Sequence, residues 1–399
     1  MGIDLENLTE AQNLKAKKIF FLAGEHSGDL QGSIVIKHLK KIAPELEITG
    51  IGGKLMQEAG MNCIHSSDEM AVIGIVEAIR NFKRLKHIKS DVEKWLSTNR
   101  PDMVILIDYP DFNRMIAEYA KSIGLHVLYY IMPQVWAWRS GRVKDFVKAI
   151  DECVVFFPFE VDIWQKGGTT CNWFGHPLIG TAVPSASKEE IQKKYEIQNS
   201  QKVIGLLPGS RTQEIDYILP EMLRAADLIA EKYKNAQFLL PLASTIEESH
   251  VRSYLDKHPD INVRIVCDKA YDVMTVADVC IVTSGTATLE TAIIGTPMVV
   301  VYRTNIITSV LTKYFIESEH IALPNVIAGK RIVPELIRDE FRADFIAREV
   351  SCILDDKDKQ NRVRQELNEV KKTLGEPGAG IRVAEHIANR LKELSNSNE

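Results

Sequence analysis

Lys18-Ile19-Phe20-Phe21-Leu22-Ala23 runs directly into Gly24-Glu25-His26-Ser27-Gly28-Asp29-Leu30-Gln31-Gly32. An apolar run that stops at a glycine-rich turn reads as a strand buried on both faces, followed by a helix. The rhythm recurs. Apolar runs at 103–108, 126–131, 153–157, 203–207, 238–241, 263–266, 279–283 and 298–302 read as further strands, with amphipathic helical patterns such as 115–122 and 221–232 between them. Strand–helix alternation of this kind implies α/β architecture with mostly parallel, doubly wound sheets.

The 399 residues are too many for one ordinary core and suit two domains. The rhythm pauses after Gly175-His176-Pro177, crosses the polar segment 184–190 and a weak helix, and restarts at Val203. The expected domains are therefore 18–185 and 200–345. A charged helical tail over 346–395, broken at Gly375-Glu376-Pro377-Gly378, is expected to pack back on the first domain. Ligands of doubly wound sheets bind outside the carboxyl ends of the strands, so the turns after strands and the cleft between two such domains are the places to look for chemistry.

Composition narrows the function. Hydrophobic residues make up 45% and charged residues 26%, as in globular proteins, and the formal net charge of -5 gives no global basic field for nucleic acid. The six cysteines, at 63, 153, 171, 267, 280 and 352, contain no C-x-x-C pair, which argues against a zinc site and for buried thiols in a reducing compartment. No cluster resembles a metal constellation, and no cofactor is expected. The first 18 residues are polar and lack the apolar centre of a signal peptide, and no apolar stretch approaches the roughly 20 residues that span a bilayer. A cytoplasmic location follows as an expectation.

Five turns carry candidate chemistry. After the first strand, Gly24, Gly28 and Gly32 permit close backbone approach, and Glu25, His26 and Asp29 crowd the strand end. The spacing fits neither a dinucleotide fingerprint nor a P-loop, and Asp29 also suits a plain helix start. In Asp108-Tyr109-Pro110-Asp111-Phe112-Asn113, a carboxylate is placed to accept the proton of an attacking hydroxyl, while the other suits a helix cap. Met132-Pro133-Gln134-Val135-Trp136-Ala137-Trp138-Arg139 offers aromatic faces for sugar rings or acyl chains, or a hydrophobic plug, with Arg139 and Arg142 suited to phosphate. Leu207-Pro208-Gly209-Ser210-Arg211-Thr212-Gln213-Glu214 sends a strand through Gly-Ser-Arg into a helix start that favours anions, Arg211 adding a positive fork. In Thr283-Ser284-Gly285-Thr286-Ala287-Thr288-Leu289-Glu290, small residues open another helix start, and Glu290 suits ribose hydroxyls or a helix first turn. The last two together describe a nucleotide-diphosphate site. Separately, residues 71–89 read as a basic amphipathic helix, for a core or an anionic membrane surface, and 303–316 as an apolar stretch.

These motifs, with Gly50-Ile51-Gly52-Gly53, Phe174-Gly175-His176-Pro177 and Leu323-Pro324-Asn325, occur in an order that resembles the lipid-A-disaccharide synthase family from about Lys18 to Phe341. The resemblance implies a GT-B fold, two Rossmann-like domains with the active site in their cleft. It also implies an inverting, metal-independent glycosyltransferase. The donor would be UDP-2,3-diacylglucosamine, the acceptor 2,3-diacylglucosamine 1-phosphate (lipid X), and the products a β-1′,6-linked disaccharide 1-phosphate and UDP. The host would make lipopolysaccharide, and the enzyme would sit peripherally on the cytoplasmic face of its inner membrane. Carried onto this sequence, Arg211, Ser284, Gly285, Thr286, Ala287 and Glu290 would hold UDP, with Asn325 lining the same cleft. Glu25 and the Asp108/Asp111 pair would serve the acceptor side, Asp111 as the favoured base and Asp108 as runner-up, with Ser27, Trp136 and Arg139 as further substrate-binding candidates. His26 and Met132 depart from the small residue and serine common in the family. Residues 1–17 are unmatched. A homodimer stays open, since the tail has the length to cross between chains. The rival readings are a UDP-sugar epimerase on the same scaffold and a non-catalytic sugar-nucleotide or lipid binder.

Overall fold

In β1 (Lys18–Ala23), Phe20 and Leu22 enter one apolar cluster and Ile19, Phe21 and Ala23 another, all fully buried. Period-two alternation with both faces apolar forces a strand to lie between two layers of helices, and the computed structural model places it so. It describes residues 17–70, 75–138, 140–198, 200–303 and 319–396; for 75–82, 137, 138 and 140 it describes the backbone only. The N-terminal segment to 16, Arg139, the apolar stretch after 303 and the apolar half of the amphipathic 71–89 segment thus lie outside the described residues or side chains.

The chain forms two units. Unit 1 runs to Pro177 and takes up the chain again from Glu376, and unit 2 is Leu178–Gly375. In unit 1, β1 is followed by α1 (His26–Ile42), β2 (Glu47–Gly52), α2 (Lys54–Glu58), β3 (Asn62–Ser66), α3 (Ile75–Asn99), β4 (Met103–Ile107), α4 (Pro110–Ser122) and β5 (Val127–Tyr130). The short α5 (Val135–Trp138), α6 (Val143–Ala149), β6 (Glu152–Val155), α7 (Pro158–Gly167) and β7 (Thr170–Trp173) complete its sheet. The strand order is β3-β2-β1-β4-β5-β6-β7, every pairing parallel.

Unit 2 repeats the plan. It holds α8 (Lys188–Lys194), β8 (Val203–Leu207), α9 (Thr212–Lys232), β9 (Gln237–Leu242), α10 (Glu248–Leu255), β10 (Val263–Cys267), α11 (Ala270–Val276) and β11 (Val279–Thr283). Then come α12 (Thr286–Ile294), β12 (Met298–Tyr302), α13 (Leu323–Ala328), β13 (Glu335–Ile337), α14 (Ala343–Asp355) and α15 (Lys357–Thr373). Its sheet runs β10-β9-β8-β11-β12-β13, again parallel throughout. Both sheets show the doubly wound order in which the first strand of each half lies beside the fourth, and that junction is the topological switch point. It falls between β1 and β4 in unit 1 and between β8 and β11 in unit 2.

The segment after 345 divides: α14 and α15 belong to unit 2, whereas α16 (Ala379–Asn396) belongs to unit 1. The turn between α15 and α16 uses Gly375 (φ 82°) and Gly378 (φ 92°). Val383, Ile387 and Leu391 of α16 pack into one cluster with Val35, Ile36 and Leu39 of α1. Cys153, Cys171 and Cys280 are buried as the apolar runs imply, but Cys267 and Cys352 are exposed. Among the described residues no helix is long and apolar enough to cross a membrane.

Candidate active site

Each switch point opens a cavity. In unit 2 the cavity is about 760 Å³ and receives the turns after β8 and β11. The apolar runs of those strands end at Leu207 and Thr283, so the two turns emerge side by side. Arg211, Ser284, Gly285, Thr286, Ala287 and Glu290 all line this cavity. Gly285 precedes α12 with φ 147°, a conformation glycine favours, and no side chain caps that helix start. Its first amides therefore point where an anion is stabilised. Ser284 Oγ donates to the Ile321 carbonyl at 3.0 Å, which fixes the turn. Glu290 accepts from the Tyr271 hydroxyl at 2.8 Å; burial raises its carboxyl above the ordinary range and the tyrosine bond opposes this.

The start of α9 behaves differently from expectation. Glu214 accepts from the amides of Ser210 (2.9 Å) and Arg211 (3.3 Å), so the anion at this helix start is the chain's own carboxylate. Arg211 Nη1 donates to Glu214 at 3.0 Å, and its side chain is 82% exposed. The exposed arginine fork, rather than the α9 amides, is what this turn presents to the cavity.

Asn325 needs correction. It is fully buried and does not line the cavity. Its Nδ2 donates to the Val333 carbonyl (2.9 Å) and Glu335 Oε1 (2.7 Å), and its Oδ1 accepts from the amides of Ile332 (2.8 Å) and Val333 (2.9 Å). With every hydrogen-bonding position of the amide used, Asn325 is an internal brace for the loop before β13. Asp272 is likewise structural, accepting from Ser185 N and Oγ at 2.7 and 2.6 Å.

The cavity of unit 1, about 720 Å³, receives the turns after β1 and β4, and Glu25 and Asp111 both line it. Asp108 and Tyr109 both take left-handed conformations (φ 49° and 48°), and Ile131, after the adjacent β5, does so at 68°. For non-glycine residues these positions are strained and cluster at functional sites. Asn113, wholly buried, holds the first of them: its Nδ2 donates to the carbonyls of Ile107 (3.1 Å) and Asp108 (2.7 Å), and Tyr129 Oη donates to the latter at 2.6 Å. The tyrosine ring of residue 109 lies over Gly24, where a Cβ would come within 2.5 Å of it. Gly24 is thus required by close approach.

The two aspartates separate. Asp108 is half-buried and off the cavity lining; burial, then the charge of Glu25, raise its carboxyl above the ordinary range. Asp111 is 83% exposed, in the first turn of α4, and pairs with Arg142. Glu25 and Ser27 are exposed at the start of α1. Asp29, by contrast, is buried and accepts from the amides of Gly53 (2.7 Å), Leu55 (3.1 Å) and Met56 (3.0 Å), so it ties α1 to the start of α2.

Trp136 is built into an aromatic cluster. Its ring is edge-on to Phe159 (5.4 Å) and Phe157 (6.5 Å), and its indole N–H donates to Glu160 at 2.9 Å. Burial lifts the Glu160 carboxyl to about 7, against the Phe157 amide and the indole, which lower it. The packing alternative for this tryptophan is therefore what the geometry displays. Glu160, Asn113 and Tyr129 are supporting residues to which sequence reading gave no role, although Asn113 closes the quoted Asp108–Asn113 motif.

Two parallel doubly wound sheets, each with a cavity at its switch point, define the GT-B class of fold. Solved structures agree on the fold. A UDP-N-acetylglucosamine 2-epimerase (described as putative) from Listeria monocytogenes is similar with a TM-score of 0.64 at 13% identity, covering 95% of this chain and 98% of that one. MurG from Acinetobacter baumannii is similar with a TM-score of 0.57 at 12% identity, covering 94% and 99%. The sequence profile of the lipid-A-disaccharide synthetase family matches residues 19–382. The lipid-A-disaccharide synthase of Geobacter metallireducens is 42% identical over 375 residues, 94% of this chain and 97% of that protein. That of Coxiella burnetii is 36% identical, covering 94% and 99%. The chain belongs to the lipid-A-disaccharide synthase family.

Proposed function

We propose that the chain transfers 2,3-diacylglucosamine from its UDP derivative to the 6-hydroxyl of 2,3-diacylglucosamine 1-phosphate, with inversion and without a metal. The observation that carries this reading is that each unit has a switch-point cavity and that the two differ in character. One has an uncapped helix start, an exposed arginine and a carboxylate at nucleotide spacing; the other has exposed carboxylates.

Asp111 takes the proton of the acceptor 6-hydroxyl, whose oxygen forms the new bond to the anomeric carbon of the donor. The bond from that carbon to the β-phosphate oxygen breaks, and its electron pair leaves with UDP. Attack on the face opposite the leaving group gives the β-linkage, through an oxocarbenium-like transition state by analogy with glycosidases. Arg211 and the α12 start stabilise the departing diphosphate, and Glu290 accepts from ribose hydroxyls. Asp111 suits the role because it is exposed on the cavity wall and its pairing with Arg142 orients the carboxylate. Asp108 and Glu25 shape the local field. The acylated substrates call for an enzyme resting on the cytoplasmic membrane face, which sedimentation with anionic vesicles tests.

The decisive experiment incubates the protein with both substrates and EDTA and seeks the disaccharide 1-phosphate by mass spectrometry. A folded, UDP-binding protein that makes none would overturn the transferase reading, and dependence on added metal would overturn the leaving-group argument.

A further inference from the structure

The unit 1 cavity has a wall that proton transfer does not use. Leu85, Lys86 and Lys89 of α3 line it, as do Phe112 and Met115 of α4, close in sequence to Asp111. Residues three apart share a helix face, so the two ammonium groups stand on one side of the cavity. Lys86 is exposed. Lys89 is part-buried and its ammonium rests on Glu93, one turn further along α3. That carboxylate holds the lysine in position, yet a phosphate dianion with three oxygens offers two ammonium groups a stronger partner than one carboxylate does. The rest of the lining is mixed: Glu25, Ser90 and Asp111 are polar, whereas Leu85, Tyr109, Pro110, Phe112 and Met115 give it an apolar side, and Met115 leaves 38% of its surface exposed.

The cavity of about 720 Å³ holds three carboxylates, of which Glu93 is paired with Lys89 and Asp111 with Arg142, and its ammonium pair beside apolar side chains matches a phosphorylated glycolipid better than a plain sugar. We propose that Lys86 and Lys89 bind the phosphomonoester of the acceptor, with Leu85, Phe112 and Met115 against the first carbons of an acyl chain, so that the 6-hydroxyl across the sugar ring is presented to Asp111. This inference rests on the transferase reading above and adds the acceptor determinant to it.

The test compares 2,3-diacylglucosamine 1-phosphate with its dephosphorylated counterpart, both in neutral detergent micelles, for wild type and Lys86→Gln/Lys89→Gln. The wild type prefers the phosphorylated acceptor, and the double variant lowers that preference, as a kcat/KM ratio, by roughly tenfold to a hundredfold. The change lies in acceptor KM, with the KM for the UDP-sugar unmoved, and Lys86→Arg/Lys89→Arg restores part of it. The exposed single variant Lys86→Gln shows the same direction, so poor folding of the double variant does not spare the idea. A preference left intact in the variants overturns the inference while leaving the transferase reading in place. So does a loss that appears only on anionic vesicles, which would assign the lysines to lipid headgroups. A wild type that makes disaccharide from neither acceptor overturns the reading itself.

Discussion

A carboxylate's surroundings decide what it does, and unit 1 offers contrasting cases within a few residues of the same turns. Asp111 is exposed on the cavity wall. Asp111→Asn keeps its size and removes its basicity, so turnover should fall by roughly a hundredfold or more, while UDP affinity measured by calorimetry stays unchanged. Turnover within tenfold of wild type would remove Asp111 from the role. Asp29 is the opposite case, buried beneath three amide donors. Asp29→Ala strands them, and stability in urea should drop by about 3 kcal/mol or more; a loss under 1 kcal/mol would mean that water replaces the carboxylate. Sequence reading singled out residues that share the unit 2 cavity because small residues after a strand have few structural reasons to occur together. It misassigned Asn325, since an asparagine whose partners are all internal amides looks the same in a sequence as one that waits for a ligand. Asp29 was left with two readings for the same reason, as its partners at residues 53–56 lie far along the chain.

Helices and strands are fixed by such contacts as much as by apolar pattern. Glu152, at the head of β6, accepts from His126 Nε2 (2.8 Å), His386 Nε2 (2.8 Å) and Arg390 Nε (3.2 Å), which clasps α16 to the sheet. Burial alone would raise this carboxyl; the bonds from the two histidines outweigh it and bring it to about 2, from an ordinary 4.5. A depressed carboxyl stabilises the fold above its unfolded value, and the contribution disappears as pH falls from about 4.5 to about 2. The shift corresponds to about 3 kcal/mol. Urea unfolding between pH 6 and pH 2 should show wild type losing its advantage over Glu152→Gln across that window. A constant difference between the two proteins would refute the clasp as the source. The same element scale explains what was legible in the fold. The central strands β1, β4, β5, β8 and β11 are continuous apolar runs, because both their faces are covered. The strands β2, β3, β7 and β13 went unread. Of these, β3, β7 and β13 are edge strands and β2 lies next to an edge, and glycine or polar residues interrupt runs such as Glu47-Ile48-Thr49-Gly50-Ile51-Gly52 and Thr170-Cys171-Asn172-Trp173.

At the scale of the whole chain, the path is the unusual feature: unit 1, then unit 2, then a last helix that returns to unit 1. The return is not a loose tail. Val383, Ile387 and Leu391 are buried with α1, Gly380 lies so close to Ile34 that a Cβ would come within 2.7 Å, and Arg382 donates to the Phe174 carbonyl from Nε (2.9 Å) and Nη2 (2.7 Å). Three large apolar side chains at roughly 1.5–3 kcal/mol each amount to about 5–9 kcal/mol, which rivals the net stability of a typical domain at about 5–15 kcal/mol. Among the described residues, the two apolar clusters of unit 2 draw only on its own residues. A chain ended at Gly375 should therefore keep the unit 2 cavity proposed to hold UDP and lose unit 1. Calorimetry should find UDP bound with near wild-type affinity, the heat of unfolding should shrink to that of one unit, and no disaccharide should form. If the shortened chain still transfers sugar, the burial of α16 does not hold unit 1 together, and the estimate from its three apolar side chains is wrong.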